Sequence, residues 1–443
     1  MIDHCDIGEK VCLPSADAPR IVIIGGGFAG LALAKALKKT KAQVVLVDRQ
    51  NFHQFQPLLY QVATSGLEPD SIVFPFRKQI SDNRNTIFRY ATVEQINADQ
   101  NRVLTDKGVI DYDYLVIATG TKTNFFGLSD IENGGLGMKS IQDALNIRHM
   151  MIQSLEQAAI TCDEHEKDLL TNFIIVGGGP AGVEMAGALA EFKKYVLPGD
   201  YPEYSSEIMD IYLLEAGDQL LASMSDKASE KALEYLTQLG VNVILNEAVA
   251  HYDGSMVSTN SGNKLYAKNL IWTAGVTGSF PKGIDKESVV RGNRLRVDHT
   301  LRVKGYPNIF AIGDIAAMIT EKTPKGYPQV AQVAMQQGKY LGKVIRNKIA
   351  GKEPTQPFEY RDKGSLATIG KRRAVADLGK FRFGGYIAWM LWSVVHLFSI
   401  SGFRNKLMVA LNWVWNYFTY DKGNRLIIRE YQGKAFKKEV PDD

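Results

Sequence analysis

Short apolar, β-branched runs alternate with helix-period stretches through most of this chain, and two of the alternations carry the same glycine punctuation. Ile21, Val22, Ile23 and Ile24 make an unbroken apolar run that ends at Gly25, Gly27 and Gly30. Ile174, Ile175 and Val176 make another, ending 152 residues later at Gly177, Gly179 and Gly182. Apolar residues without alternation fit a strand covered on both faces, as in a parallel sheet. Each run leads into a helix-like stretch, then into a second strand that ends in an acid: residues 43–47 before Asp48, and residues 210–214 before Glu215. Strands alternating with helices predict an α/β fold. A different pattern begins near residue 383. Residues 383–403 and 407–420 contain no Lys, Arg, Asp or Glu, and Leu407, Leu411, Val414, Trp415 and Phe418 recur at helical spacing.

The spacing Gly-x-Gly-x-x-Gly after a strand is a dinucleotide fingerprint, and two copies imply two dinucleotides. Gly25 allows the tight turn, Gly27 lets a pyrophosphate approach the backbone, and Gly30 allows close helix–strand packing. Phe28 and Ala29 open a helix whose amides face the phosphates. Asp48, followed by Arg49, can accept hydrogen bonds from ribose hydroxyls. Far downstream, residues 308–312 form a short apolar strand ending in Gly313 and Asp314, a pairing suited to a polyol such as the ribitol of a flavin. Strands ending at Thr119 and Gly120, and at Ala274 and Gly275, mark turns where the chain crosses between domains. In the second copy, Gly177, Gly179, Pro180, Ala181 and Gly182 precede Glu215 by more than the usual spacing of about 20 residues. Residues 191–207, with Pro198, Gly199 and Pro202, read as an inserted turn. A carboxylate at Glu215 accepts the adenosine 2′-hydroxyl and repels a 2′-phosphate, which predicts NADH over NADPH. Glu184 is expected in the first turn of the helix, close to the nicotinamide.

A chain of 443 residues implies two or three domains. Cys5, Cys12 and Cys162 are scattered, which argues against a disulfide framework or a redox-active pair and for a reduced compartment. No metal site is expected. Residues 1–19 have no apolar segment and read as a loose tail, not a secretory signal. The net charge of +4 hides an asymmetry: residues 361–443 hold 15 Lys/Arg against 7 Asp/Glu, and the remainder 37 against 41. A basic end suggests an anionic partner surface. Trp389, Trp392, Phe398, Phe403, Trp413, Trp415, Tyr417, Phe418 and Tyr420 interleave with these charges and favour a membrane face over nucleic acid. Ser393, His396, Ser399, Ser401 and Gly402 weaken the run as a bilayer span. Monotopic helices in the headgroup boundary are therefore expected, rather than one transmembrane helix or a buried dimer helix.

Two Rossmann units plus Gly313 and Asp314 resemble the two-dinucleotide flavoproteins of glutathione-reductase-like fold. Within them the chain resembles the type II NADH:quinone oxidoreductases. Four stretches carry this: residues 51–60, the second fingerprint with Glu184, Gly313 with Asp314, and residues 331–338, which fit the pattern Ala-Gln-x-Ala-x-Gln at Ala331, Gln332 and Gln336. The resemblance implies an FAD domain at residues 20–124 and 294–360, an inserted NADH domain at 125–293, and an amphipathic membrane-anchoring region at 361–443. Non-covalent FAD would be held by Gly25, Gly27, Phe28, Ala29, Gly30, Asp48, Arg49, Thr119, Gly120, Gly313, Asp314, Ala331 and Gln332. NADH would be held by Gly177, Gly179, Pro180, Ala181, Gly182, Glu184, Glu215, Ala274 and Gly275. Gln332 and Gln336, one helical turn apart, would bind a membrane quinone through neutral amides, and Lys371 would place a positive charge near it. The resemblance also implies a homodimer, peripheral on the cytoplasmic face of the inner or plasma membrane. No chain of intramembrane carboxylates exists, so proton pumping is not expected, and no calcium loop is visible. The alternatives are reduction of a specialised, phylloquinone-type quinone, or sulfide:quinone chemistry, which needs cysteines near the flavin.

Overall fold

The computed structural model describes residues 10–204, 208–352, 356–420 and 422–433. Cys5, the first part of the expected tail and residues 205–207 of the expected inserted turn lie outside the described residues. The chain forms two compact units: residues 1–53, 74–122 and 276–362, and residues 54–73, 123–275 and 363–443. The resemblance implies a return crossing at 294 and a separate region at 361–443. In the fold the return is at Val276, and residues 54–73 and the C-terminal region belong to the second unit.

The first unit is built on five parallel strands in the spatial order Ile309–Ala311, Tyr114–Ile117, Arg20–Ile24, Gln43–Asp48, Thr86–Tyr90. Ile21 pairs with Val44 on one side and Tyr114 on the other, and is fully buried with Val22 and Ile23. Both faces of the strand are covered, which is why its sequence does not alternate. Helices Phe28–Ala36 and Ala331–Ile349 cross at glycines: a Cβ on Gly338 would lie 2.4 Å from the Ala29 carbonyl oxygen. Residues 10–14 are not loose. Val11 N–H donates to the Val109 carbonyl at 3.0 Å, Lys10 pairs with Asp111 at 2.7 Å, and the carbonyls of Cys12 and Pro14 accept from Arg89 and Gln43, each at 2.7 Å. A strand edge with unpaired backbone groups captures this segment.

The second unit repeats the plan with parallel strands in the order Leu136–Gly137, Asn269–Trp272, Phe173–Val176, Ile211–Leu214, Asn242–Ile244. Its fingerprint helix spans Pro180–Tyr195 and is followed by the helical turn Leu197–Asp200, so the expected inserted turn begins as helix. A Cβ on Gly187 would lie 2.1 Å from the Ile369 carbonyl oxygen, because strand Ser365–Gly370 lies directly on this helix. That strand forms an antiparallel sheet with Arg373–Leu378 and Phe381–Gly384. The expected membrane region therefore starts as a packed sheet, and its apolar part begins at Tyr386.

Helices Tyr386–Ser399 and Phe403–Thr419 follow, and among the described residues no helix is long and apolar enough to cross a membrane. The second helix turns its polar stripe inward. Asn405 Nδ2 donates to the carbonyls of Asp70, Ser71 and Val73 at 2.9–3.1 Å. Asn412 donates to Glu68 at 2.5 Å, Trp413 Nε1 to Gln61 at 2.8 Å, and Asn416 to the Gly66 carbonyl at 3.1 Å. The apolar stripe faces outward: Leu411, Val414 and Trp415 are exposed and Phe418 is 77% exposed, as is Ile387 of the first helix at 70%. An outward apolar stripe in water would be unusual for a monomer and marks a contact surface.

Candidate functional site

The two fingerprint turns have the same geometry. Gly25 sits at φ +100°, and a Cβ there would lie 2.5 Å from the Ala118 carbonyl oxygen; Gly177 sits at φ +109°, with Ala274 Cα 2.6 Å from such a Cβ. A Cβ on Gly30 or Gly182 would lie 1.9 Å from the carbonyl oxygen of Gly25 or Gly177. The middle glycines, Gly27 and Gly179, face open space within 4 Å. The turn is thus closed by protein on two sides and open where a pyrophosphate would approach. Phe28 and Ala29 begin the first helix, and Pro180 and Ala181 the second.

Each acid also clamps its own turn. Asp48 accepts from the amides of Gly26 at 2.7 Å and Gln50 at 2.8 Å. Glu215 accepts from those of Gly178 at 2.5 Å and Gly217 at 2.7 Å. Each oxygen keeps a further lone pair, so a ribose hydroxyl can still be bound. Burial raises the Asp48 pKa, against the two amides and the charge of Arg49, which lower it. Buried His53 lies with Nδ1 3.1 Å from the Gly26 carbonyl, and burial lowers its pKa to about 4, so at neutral pH it is uncharged. Gly26 is held through both its amide and its carbonyl, by two side chains whose roles the motif does not reveal. In the second unit, Gly275 lies against Phe126, whose ring would be 2.7 Å from a Cβ there.

Elsewhere in the first unit, Gly313 has φ +78° and its amide donates to Gln337 Oε1 at 2.7 Å. Gln337 is buried, and this neighbour of the expected pair locks the Gly313–Asp314 turn onto helix Ala331–Ile349. Gln332 and Gln336 lie in the first two turns of that helix, as expected. Gln336 differs from the expectation in its partners: Nε2 donates to the Arg361 carbonyl at 2.9 Å and Oε1 accepts the Arg361 amide at 3.0 Å. Its amide is committed to the backbone rather than presented to a ligand. Thr119 Oγ1 is buried with no protein partner beside Gly120, which has φ +68° and open space at its Cβ position. An orphaned hydroxyl, an open glycine turn and a strand-end acid fit a bound dinucleotide.

The second unit contains an aromatic pocket of about 800 Å³, mouth included. Trp389, Trp392, Trp413, Tyr417, Tyr420 and Tyr60 supply flat walls. Glu184, Ala188 and Glu191, spaced four and three residues apart, present one helix face to it. Glu184 is the fifth residue of its helix, beyond the first turn expected from sequence, so its carboxyl faces the pocket instead of the helix dipole. Burial raises its pKa to about 8, opposed by the Thr368 amide and the Trp392 indole. At neutral pH it is a proton donor.

Lys371 lies in the turn after strand Ser365–Gly370 and lines the same pocket. Its ammonium donates to the Tyr417 carbonyl and stands 3.6 Å from the Tyr420 ring centroid and 4.4 Å from that of Tyr417. Burial and Arg372 lower its pKa. Glu191 fixes this turn: it accepts the Lys371 amide, and a Cβ on Gly370, at φ +144°, would lie 2.8 Å from Glu191 Oε1. Lys422 closes another side, donating to the Ala188 carbonyl at 3.0 Å, with its pKa lowered to about 8 by burial. Flat apolar walls with a few convergent polar groups suit a planar, weakly polar ring that exchanges protons. Glu191 and Lys422 were given no role from sequence, whereas Trp389, Trp392, Trp413, Tyr417 and Tyr420, expected at a membrane face, line this pocket instead, with Trp392 only 2% exposed. The (i, i+7) spacing of Glu184 and Glu191, which puts both on one helix face, was a signal for Glu191 alone.

Residues 19–338 match the pyridine nucleotide-disulphide oxidoreductase family, and residues 363–420 match the NDH2 C-terminal domain. A type II NADH:quinone oxidoreductase of Mycobacterium tuberculosis is 36% identical over 439 residues, spanning 95% of this chain and 93% of that protein. The chain belongs to the type II NADH:quinone oxidoreductases. Another protein of that name, from Haemophilus influenzae, is 31% identical over 81% of this chain and 86% of its own length. The structure of NDH2 from Plasmodium falciparum in complex with NADH superposes with a TM-score of 0.85 at 23% identity, covering 93% of this chain and all of that one. The sulfide:quinone oxidoreductase of Aquifex aeolicus superposes with a TM-score of 0.70 at 20% identity, covering 90% of this chain and 95% of that one. These two likenesses speak for the fold alone. The C-terminal match takes in the antiparallel sheet and both apolar helices, so in this type II oxidoreductase the aromatic pocket is built partly from the family's own C-terminal module.

Proposed function

We propose that this chain is an FAD-dependent NADH:quinone oxidoreductase that passes two electrons from NADH to a membrane quinone without pumping protons. The observation that carries the reading is the combination, in one chain, of two acid-clamped glycine turns and an aromatic pocket holding a carboxyl with a pKa of about 8. The first turn, with Asp48, Arg49, Thr119, Gly120, Gly313 and Asp314, takes the resident FAD. The second, with Glu215, Ala274 and Gly275, takes exchangeable NADH. The flavin, when bound, accepts a hydride and releases electrons in pairs; the protein supplies position and electrostatics.

The quinone ring enters the aromatic pocket. Glu184, neutral at pH 7, donates a hydrogen bond and then a proton to a ring oxygen. Lys371, held over two tyrosines, stabilises negative charge that develops there. Gln332 remains a candidate contact, whereas Gln336 acts as a clamp on Arg361. The exposed apolar stripes of the two C-terminal helices lie on a bilayer at its cytoplasmic face, and the enzyme works as a homodimer. Sulfide:quinone chemistry is disfavoured because the described cysteines, Cys12 and Cys162, are exposed and are not among the residues lining the aromatic pocket. Steady-state turnover with NADH and a series of quinones tests the proposal. Turnover with NADH and at least one lipid-type quinone is expected; oxidation of NADH that is indifferent to every quinone would overturn it.

A further inference from the structure

The structure assigns a second binding site: a basic pocket beside the first C-terminal helix that holds the phosphodiester headgroup of an anionic bilayer lipid. The cavity, about 540 Å³ including its mouth, lies between helix Asp226–Gln238 and strands Arg373–Leu378 and Phe381–Gly384. Lys227 and Lys231, one helical turn apart, and Arg382 from the facing strand line it. The Arg382 guanidinium has no ion-pair partner among the described residues, and its planar fork matches two phosphate oxygens. Lys227 Nζ donates only to the Arg382 carbonyl, at 3.2 Å. Lys231 is shared with Glu234 at 2.5 Å. The one carboxylate in the lining, Asp377, is already engaged: its oxygens accept the Ser225 amide at 2.6 Å and the Ser225 hydroxyl at 2.8 Å. The Tyr235 hydroxyl lies 3.5 Å from where a Cβ on Gly384 or Gly385 would be, and adds a donor to the lining.

Position selects a lipid over a free anion. Strand Phe381–Gly384 runs into helix Tyr386–Ser399 through Gly385 alone, and Phe381, Tyr386 and Ile387 are exposed beside the cavity. A helix whose apolar face sits at the acyl boundary holds its flanks at the level of the phosphates. Cations there meet headgroups at high local concentration, whereas a free phosphate at a part-exposed site is screened by salt. The inference rests on the reading that these helices lie on a bilayer.

The test is flotation of the full-length holoenzyme with neutral phosphatidylcholine vesicles and with vesicles containing about one-third phosphatidylglycerol. The variants are a pocket triple, Lys227→Gln, Lys231→Gln and Arg382→Gln, and a control triple with the same charge loss outside the pocket, Lys380→Gln, Arg404→Gln and Lys406→Gln. Each basic residue near an anionic surface contributes roughly fivefold. The wild type should prefer anionic vesicles by roughly 25-fold or more, from two or more such contacts. The pocket triple should lose most of that preference while binding neutral vesicles normally and turning over water-soluble quinones at the wild-type rate. The control triple should lose less. Equal loss in both triples, or none in the pocket triple, overturns the site. If inorganic phosphate removes the preference where chloride of equal ionic strength does not, the pocket takes a free anion and the lipid assignment is wrong. Failure of the wild type to float with either vesicle overturns the membrane reading itself, a result distinct from a lost anionic preference.

Discussion

Glu184→Gln isolates the proton-donating role at nearly constant shape. With a pKa of about 8, the wild-type carboxyl is neutral in about 90% of molecules at pH 7 and in about 10% at pH 9. In anaerobic stopped-flow, the rate of quinone-driven flavin reoxidation should therefore fall roughly tenfold across that interval. The amide cannot give up a proton, so the variant should be slower by about 100-fold at pH 7 and flat with pH, since a positioned general acid contributes about 10²–10⁴. Reduction of the flavin by NADH should be almost unchanged. The stability readout has the opposite sign. A carboxyl raised from 4.5 to about 8 binds its proton more tightly in the folded state, so it is harmless below pH 4.5 and increasingly destabilising up to pH 8. The variant escapes this, and its advantage over wild type should grow with pH towards a ceiling of about 5 kcal/mol, lowered by the pocket-facing exposure of the group. Reoxidation of the variant at the wild-type rate with the wild-type pH profile would show that Glu184 is not the proton donor.

Other substitutions separate the remaining parts of the site. Glu191→Ala should raise the KM for quinone by roughly tenfold without slowing flavin reduction, because the turn that aims Lys371 loses its anchor; Glu191→Gln, which keeps an acceptor for the Lys371 amide, should recover most of that loss. Gly30→Ala places a Cβ 1.9 Å from the Gly25 carbonyl oxygen, an overpacking that costs about 3 kcal/mol or more, and the purified protein should carry little flavin by its absorbance. Glu215→Ala should improve the ratio of kcat/KM for NADPH over NADH by about tenfold, by removing charge repulsion, while loosening the Gly178 turn. Leu411→Asp with Phe418→Glu should abolish vesicle flotation while preserving turnover of water-soluble quinones, since both side chains point away from the protein.

The nucleotide turns were legible because their chemistry is local. Gly25, Gly30, Gly177 and Gly182 are each demanded by a backbone contact, Gly27 and Gly179 leave the approach open, and the strand, turn and helix leave their own periodicities. The acids at Asp48 and Glu215 were found for the same reason, although their grip on Gly26 and Gly178 was not visible. The aromatic pocket was hidden because it is assembled from separated segments: Tyr60, the helix face of Glu184 and Glu191, the Lys371 turn, and two C-terminal helices. No short-range spacing joins them. Gln336 shows the opposite failure. Its helical position was read correctly, but its backbone partner Arg361 lies 25 residues on and could not be inferred from spacing. The membrane stripe was legible as a periodicity. Its outward direction followed only when Asn405, Asn412 and Asn416 were seen to bind the body of the second unit.

On the proposed function, electrons entering from NADH leave to a quinone. Anaerobic double-mixing stopped-flow tests it most directly: NADH first, then a short-chain quinone, with flavin absorbance followed throughout. Bleaching by NADH and full recovery with quinone, at a rate that accounts for steady-state turnover, is the predicted result. Bleaching without quinone-dependent recovery would contradict it.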